Sequence, residues 1–98
     1  MAKTRPFDAA EYLDGPGSIA AYLSEAFETN DVSFITEAIG TAARARGMAA
    51  VARESGLSRE NLYKALSSEG RPEFGTVIRV LNSLGVSLHA EPKTAQVA

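Results

Sequence analysis

Gly56 lies between two stretches, residues 48–55 and 59–66, that read as helices of eight residues each, and this arrangement constrains the fold more than any other feature. A helix shorter than about 12 residues is marginal in water by itself, so both stretches need neighbours to pack on. Ala52 is small enough for the second helix to cross close to the first, and Gly56 supplies the positive φ of a turn at which two short helices cross steeply. Ser58 offers a hydroxyl oxygen to the free amides that open the second stretch. Val51, Leu57, Leu62 and Ala65 then face inward, which leaves Ser58, Arg59, Asn61, Tyr63, Lys64 and Ser67 on outward positions.

The rest of the chain supplies the neighbours. Asp8 and Glu11 have capping-box spacing, which predicts a short helical turn through Tyr12 and Leu13 that ends at Gly15-Pro16-Gly17. Ile19, Tyr22, Leu23, Ala26 and Phe27 then recur on one helical face, with Ser18 as the expected N-cap. Asn30-Asp31 interrupts the pattern, and Phe34, Ile35, Ala38, Ile39 and Ala42 restart it until Gly47 stops the helix in a left-handed conformation. Residues 67–72 are polar, with Gly70 and Pro72, and form a loop; Phe74, Val77, Ile78, Leu81 and Leu84 make a last stripe that Gly85 ends. Val86, Leu88 and Ala90 alternate with Ser87, His89 and Glu91, which predicts a short extended segment or β-strand, and residues 92–98 read as a flexible tail.

With 98 residues and 45% hydrophobic composition, the chain has material for one modest core. The expected fold is therefore all-α, a compact helical bundle around a helix-turn-helix of the lambda-repressor type. The division expected within this single domain is an N-terminal helical extension over residues 1–31, a helix-turn-helix bundle over 32–91 and the tail. The lack of cysteine excludes disulfides, thiol nucleophiles and cysteine-ligated zinc. The N-terminus has no signal-peptide run and no stretch is apolar enough to span a bilayer, so a cytoplasmic protein is expected.

Net charge is −2, which taken alone opposes nucleic-acid binding, but the charge is unevenly spread. Residues 1–37 carry Lys3 and Arg5 against seven carboxylates, a net of −5. Residues 38–79 carry Arg44, Arg46, Arg53, Arg59, Lys64, Arg71 and Arg79 against four carboxylates, a net of +3. A molecule polarised this way presents a basic face to phosphates and an acidic one elsewhere. The outward residues of the second short helix suit a major groove, where Arg pairs with guanine and Asn with adenine. Arg59 is the first candidate for base contact; Lys64, Ser67 and Arg71, at the far end of the helix and in the loop, are placed for phosphates. Arg44, Arg46 and Arg53 are weaker candidates for the flanking backbone.

Catalysis finds little support. His89 is the sole histidine and reads as solvent-facing, no carboxylate pair has a metal-ligand or nucleophile partner, and neither Gly15-Pro-Gly17 nor Gly47 is followed by the Gly-Lys-Ser/Thr of a phosphate loop. Neither a cofactor nor a metal is expected.

Five runs carry a resemblance: Phe7-Asp-Ala-Ala-Glu-Tyr-Leu-Asp14, Ile19-Ala-Ala-Tyr-Leu23, Ala45-Arg-Gly-Met48, Gly56-Leu-Ser-Arg-Glu-Asn-Leu-Tyr-Lys-Ala-Leu66 and Val80-Leu-Asn-Ser-Leu-Gly85. On these the chain resembles the HigA-like antitoxin, or addiction-module antidote, family of prophage-type regulators, and Leu62-Tyr63-Lys64-Ala65-Leu66 is the most distinctive part. The resemblance implies an all-helical homodimer that binds a palindromic operator in its own promoter and neutralises a toxin of the RelE/ParE superfamily. One departure is Glu73 after Pro72, where related proteins often have a Ser or Thr able to cap the next helix. The last helix with Val86–Ala90 is one candidate for the dimer surface; the acidic residues 1–31 are assigned to protein contact. Two other readings share the fold: a stand-alone transcriptional regulator without a toxin, and a protein-interaction module without DNA binding.

Overall fold

The computed structural model describes residues 8–93 as a short 3-10 turn, η1 (Ala9–Tyr12), followed by five helices: α1 (Pro16–Glu28), α2 (Val32–Arg46), α3 (Met48–Ser55), α4 (Arg59–Ala65) and α5 (Phe74–Ser83). The architecture is all-helical, as expected. Residues 1–7 and 94–98, with the outer part of the expected tail, lie outside the described residues.

Local chemistry explains most boundaries. The Asp8 carboxylate accepts the Ala10 N–H at 3.2 Å and so opens η1. Ser18 is not the N-cap of α1. The helix begins at Pro16, whose missing N–H costs nothing at a first helical position. Ser18 sits one turn in, and its Oγ accepts the backbone N–H of Asp14 at 2.9 Å and of Gly15 at 3.2 Å. Gly15-Pro16-Gly17 therefore ends one element and starts the next. Asp31 caps α2 by accepting the Phe34 N–H at 3.1 Å. Gly47 both ends α2 and precedes α3; its φ of 108° is positive as expected, but its ψ of 113° lies outside the left-handed helical well.

The helices enclose one core that includes Ile19, Leu23, Ile39, Val51, Leu62, Val80 and Leu84. α1 packs against α2, α2 against η1 and α3, and α3 against both α4 and α5. Burial of each large aliphatic side chain contributes about 1.5–3 kcal/mol, enough to hold helices that have little stability alone. Thr36 and Thr41 are buried on α2 with their hydroxyls donating to the carbonyls of Val32 and Glu37, so neither leaves an unmet polar group.

Two aromatic residues expected in apolar stripes are exposed. Phe34 (48% accessible) lies in the first turn of α2 at the stripe's edge, and Phe74 (68%) is the first residue of α5, ahead of the part that packs. Val80, outside the expected stripe, is fully buried. Among the described residues there is no β-strand. The Val86 N–H returns to the Leu81 carbonyl at 3.2 Å and Val86 packs on the core, but residues 87–93 have no neighbouring strand to complete a ladder.

The N-terminal turn is tied to α2 by an ion pair, Arg44 Nη1 to Asp8 Oδ2 at 3.2 Å. The Ala10 amide first and the Arg44 guanidinium second hold the Asp8 carboxyl below its ordinary 3.8. A depressed carboxylate pKa adds stability that is present above the unfolded value and lost as pH falls through the folded one. We therefore expect η1 to loosen from α2 as pH drops below about 3.8. In an NMR titration the Ala10 amide should shift in that window in the wild type, and show no such titration in Asp8→Asn; an Ala10 resonance that titrates alike in both would rule this contact out as the cause.

Candidate nucleic-acid interface

The outward face of α4 is positioned by what lies behind it. Gly56 turns the chain at φ 78°, ψ 13°, a left-handed conformation that a side chain would strain. Ser58 accepts the Asn61 N–H at 3.0 Å and so opens α4 at the next residue, Arg59, as the sequence predicts. Leu62, at the centre of this seven-residue helix, is fully buried, and Leu66 is nearly so. Leu57 and Ala65 are half-buried.

The opposite face is exposed. Ser58, Arg59, Asn61, Tyr63, Lys64, Ser67 and Arg71 are all accessible, with Tyr63 at 52%. They do not form one cluster. Asn61, Lys64, Ser67 and Arg71 share the lining of a hollow of about 460 Å³ with Ala65, Glu69 and Gly70, whereas Ser58, Arg59 and Tyr63 lie outside it. Within the hollow's rim, Ser67 Oγ donates to the Lys64 carbonyl at 3.1 Å and Arg71 Nη1 donates to the Gly70 carbonyl at 2.8 Å. Both side chains are thus held near the end of α4. The Ser58 oxygen is already engaged as a cap, which leaves its hydrogen as the group able to reach outward.

The flanking arginines divide. Arg44 pairs with Asp8, and Arg46 Nη2 meets Glu54 Oε2 at 2.8 Å, so both cations have partners within the chain. Arg53 is exposed with no such partner among the described residues. Arg79, on α5, reaches the Ser55 carbonyl at 3.4 Å, where a cation offsets the free carbonyls at the end of α3. Sequence reasoning gave Arg79 no role because its target is formed only when α3 and α5 pack together.

Gly40 was also missed. A Cβ there would lie 2.6 Å from the Leu66 carbonyl oxygen and 3.3 Å from Leu66 Cβ, so α2 lacks a side chain at the point where it meets the end of α4. Its signal in the sequence is a glycine inside an otherwise regular helix, where Ala would be favoured by about 1 kcal/mol and the cost implies a close approach. Among the described residues no group of three or more His, Cys, Asp or Glu side chains is placed to hold a metal ion. Among the described residues no helix is long and apolar enough to cross a membrane.

Residues 3–92 match the family of probable addiction module antidote proteins. The chain belongs to this family. A Haemophilus influenzae protein named only as uncharacterized is 41% identical over 87 residues, covering 89% of this chain and 90% of its own. No solved structure matches the chain.

The close contact at Gly40 predicts that Gly40→Ala displaces the end of α4 and lowers thermal stability despite the better helix propensity of Ala. A melting curve checks the sign: a variant more stable than the wild type would mean that α2 and α4 do not meet as described.

Proposed function

We propose that this member of the antidote family is the antitoxin of a type II toxin–antitoxin module, binding operator DNA through α3 and α4, repressing its own operon and neutralising a toxin of the RelE/ParE superfamily. The observation that carries the DNA-binding reading is the two-sided character of α4. Leu62 anchors it in the core while Arg59, Asn61, Tyr63 and Lys64 project outward, and the hollow at its far end gathers Lys64, Ser67 and Arg71. An Arg and an Asn on an exposed helix suit base edges, and a cation pair with a hydroxyl suits backbone phosphates. Glu69 in the same hollow opposes an anion there, so the phosphate role falls mainly on the exposed cations Lys64 and Arg71.

One such helix covers only a few base pairs, so a homodimer on a palindromic operator supplies the remaining affinity and specificity. Family membership supports the toxin-binding half of the reading, because an antidote implies a toxin. The chain acts by binding, not by catalysis, in the cytoplasm where operator and toxin are found.

The reading is tested by titrating the protein against duplex DNA from upstream of its own gene at two salt concentrations. Wild-type affinity should fall as salt rises. Arg59→Ala should weaken binding by about 1–3 kcal/mol and relax the preference for the operator over unrelated duplex. Lys64→Ala should reduce the slope of log K against log[salt] by about 0.9 for the one phosphate lost. Salt-insensitive binding, or affinity unchanged by both substitutions, would remove α4 as the reading helix.

A further inference from the structure

A groove of about 910 Å³ runs between α1 and residues 86–93, and it shares no lining residue with the hollow at α4. Leu23 and Leu81 are buried at its base, Phe27 is half-buried, and Leu88 is left 42% exposed on the opposite wall. The lining is mixed, with polar and charged side chains around this apolar base, and a half-buried aromatic beside an exposed aliphatic side chain offers a place for an anchoring side chain of another protein.

Its charge selects the occupant. α1 contains no lysine or arginine, and its exposed Glu28 lines the groove, facing the segment that carries Glu91. Of the other carboxylates of the acidic half, Asp8 is engaged with Arg44, Asp14 with the Ser18 hydroxyl and Asp31 with the Phe34 amide, while the exposed Glu25 and Glu37 lie off the groove's lining. Glu28 and Glu91 have no partner among the described residues, while Lys93 is the one lysine or arginine on the lining. The backbone donors and acceptors of residues 87–93 also lack intramolecular partners among the described residues, which leaves this wall able to bond to an incoming chain.

Resting on the antidote reading, but not on DNA binding, we infer that this groove is the docking surface for the module's toxin, which inserts an apolar side chain flanked by lysine or arginine. The apolar anchor fills the space beside Phe27 and Leu88, and the flanking cations meet Glu28 and Glu91. Because the groove and the α4 hollow have separate linings, toxin and operator are held on different surfaces of one chain.

The probe is the protein encoded by the reading frame adjacent to this one, titrated calorimetrically against the full chain. Wild type should bind it. Leu88→Lys, and separately the double variant Glu28→Lys, Glu91→Lys, should weaken that binding about tenfold or more while leaving the melting temperature unchanged, since all three positions are exposed. Arg59→Ala with Lys64→Ala should leave it intact. Unaltered affinity in both groove variants, or a wild-type chain that does not bind the neighbouring product, overturns the inference. A groove variant whose oligomeric mass falls by half also overturns it, by placing a second copy in the groove. If operator binding fails while the groove variants still lose the partner, the DNA-reading proposal falls and this one stands.

Discussion

The burial of Leu62 is the interaction on which the exposed face of α4 depends. A helix of seven residues has too few internal hydrogen bonds to repay its nucleation, and its capping serine contributes only about 1 kcal/mol. A single fully buried leucine at its centre fixes both the rotation of the helix and its depth. Once that rotation is set, Arg59, Asn61, Tyr63 and Lys64 have only the outward face to occupy. Leu66 fixes the far end, against an α2 that carries no side chain at Gly40. The groups that face solvent are thus placed by packing on the other side of the same short helix.

Electrostatics then divides the surface. Two arginines of the basic half are held by carboxylates, Arg44 by Asp8 and Arg46 by Glu54, and both pairs are partly exposed. Such pairs contribute little to stability, but they reduce the field of those cations at a distance. The positive charge left without a carboxylate partner includes Arg53, Arg59, Lys64 and Arg71, on α3, α4 and the following loop. Glu25 and Glu28 lie on α1, a helix that carries no cation, and Glu28 lines a different depression. A chain with net charge −2 can therefore show two surfaces of opposite character.

Elements whose cause is local were legible in the sequence. Asp8 and Ser58 cap the elements they precede, Gly56 takes the left-handed turn, and the spacing of Leu62 against Arg59 and Lys64 marks the inward and outward faces of α4. The absence of a side-chain cap at Glu73 was readable too, since the residue before α5 lacks the short hydroxyl that usually serves. Errors arose where periodicity continued past the contact that gives it meaning. Phe34 and Phe74 fit their stripes by spacing, yet each sits in the first turn of its helix and remains exposed. Alternation over residues 86–91 pointed to an extended segment or a short strand, but alternation is a property of one segment and a sheet needs two.

Helix type and order, and the caps at Asp8 and Ser58, were determined by the sequence alone, because each follows from spacing and from side-chain hydrogen bonds within about four residues; the start of α1 at Pro16, with Ser18 inside the helix, was not. The tertiary structure decided which arginines are paired, why Gly40 is needed, and which four of the seven candidate residues share a hollow. Those features join positions far apart in the chain: Asp8 with Arg44, Gly40 with Leu66, and Ser55 with Arg79. Periodicity reports the face of one helix, and only packing brings a second face within reach of it.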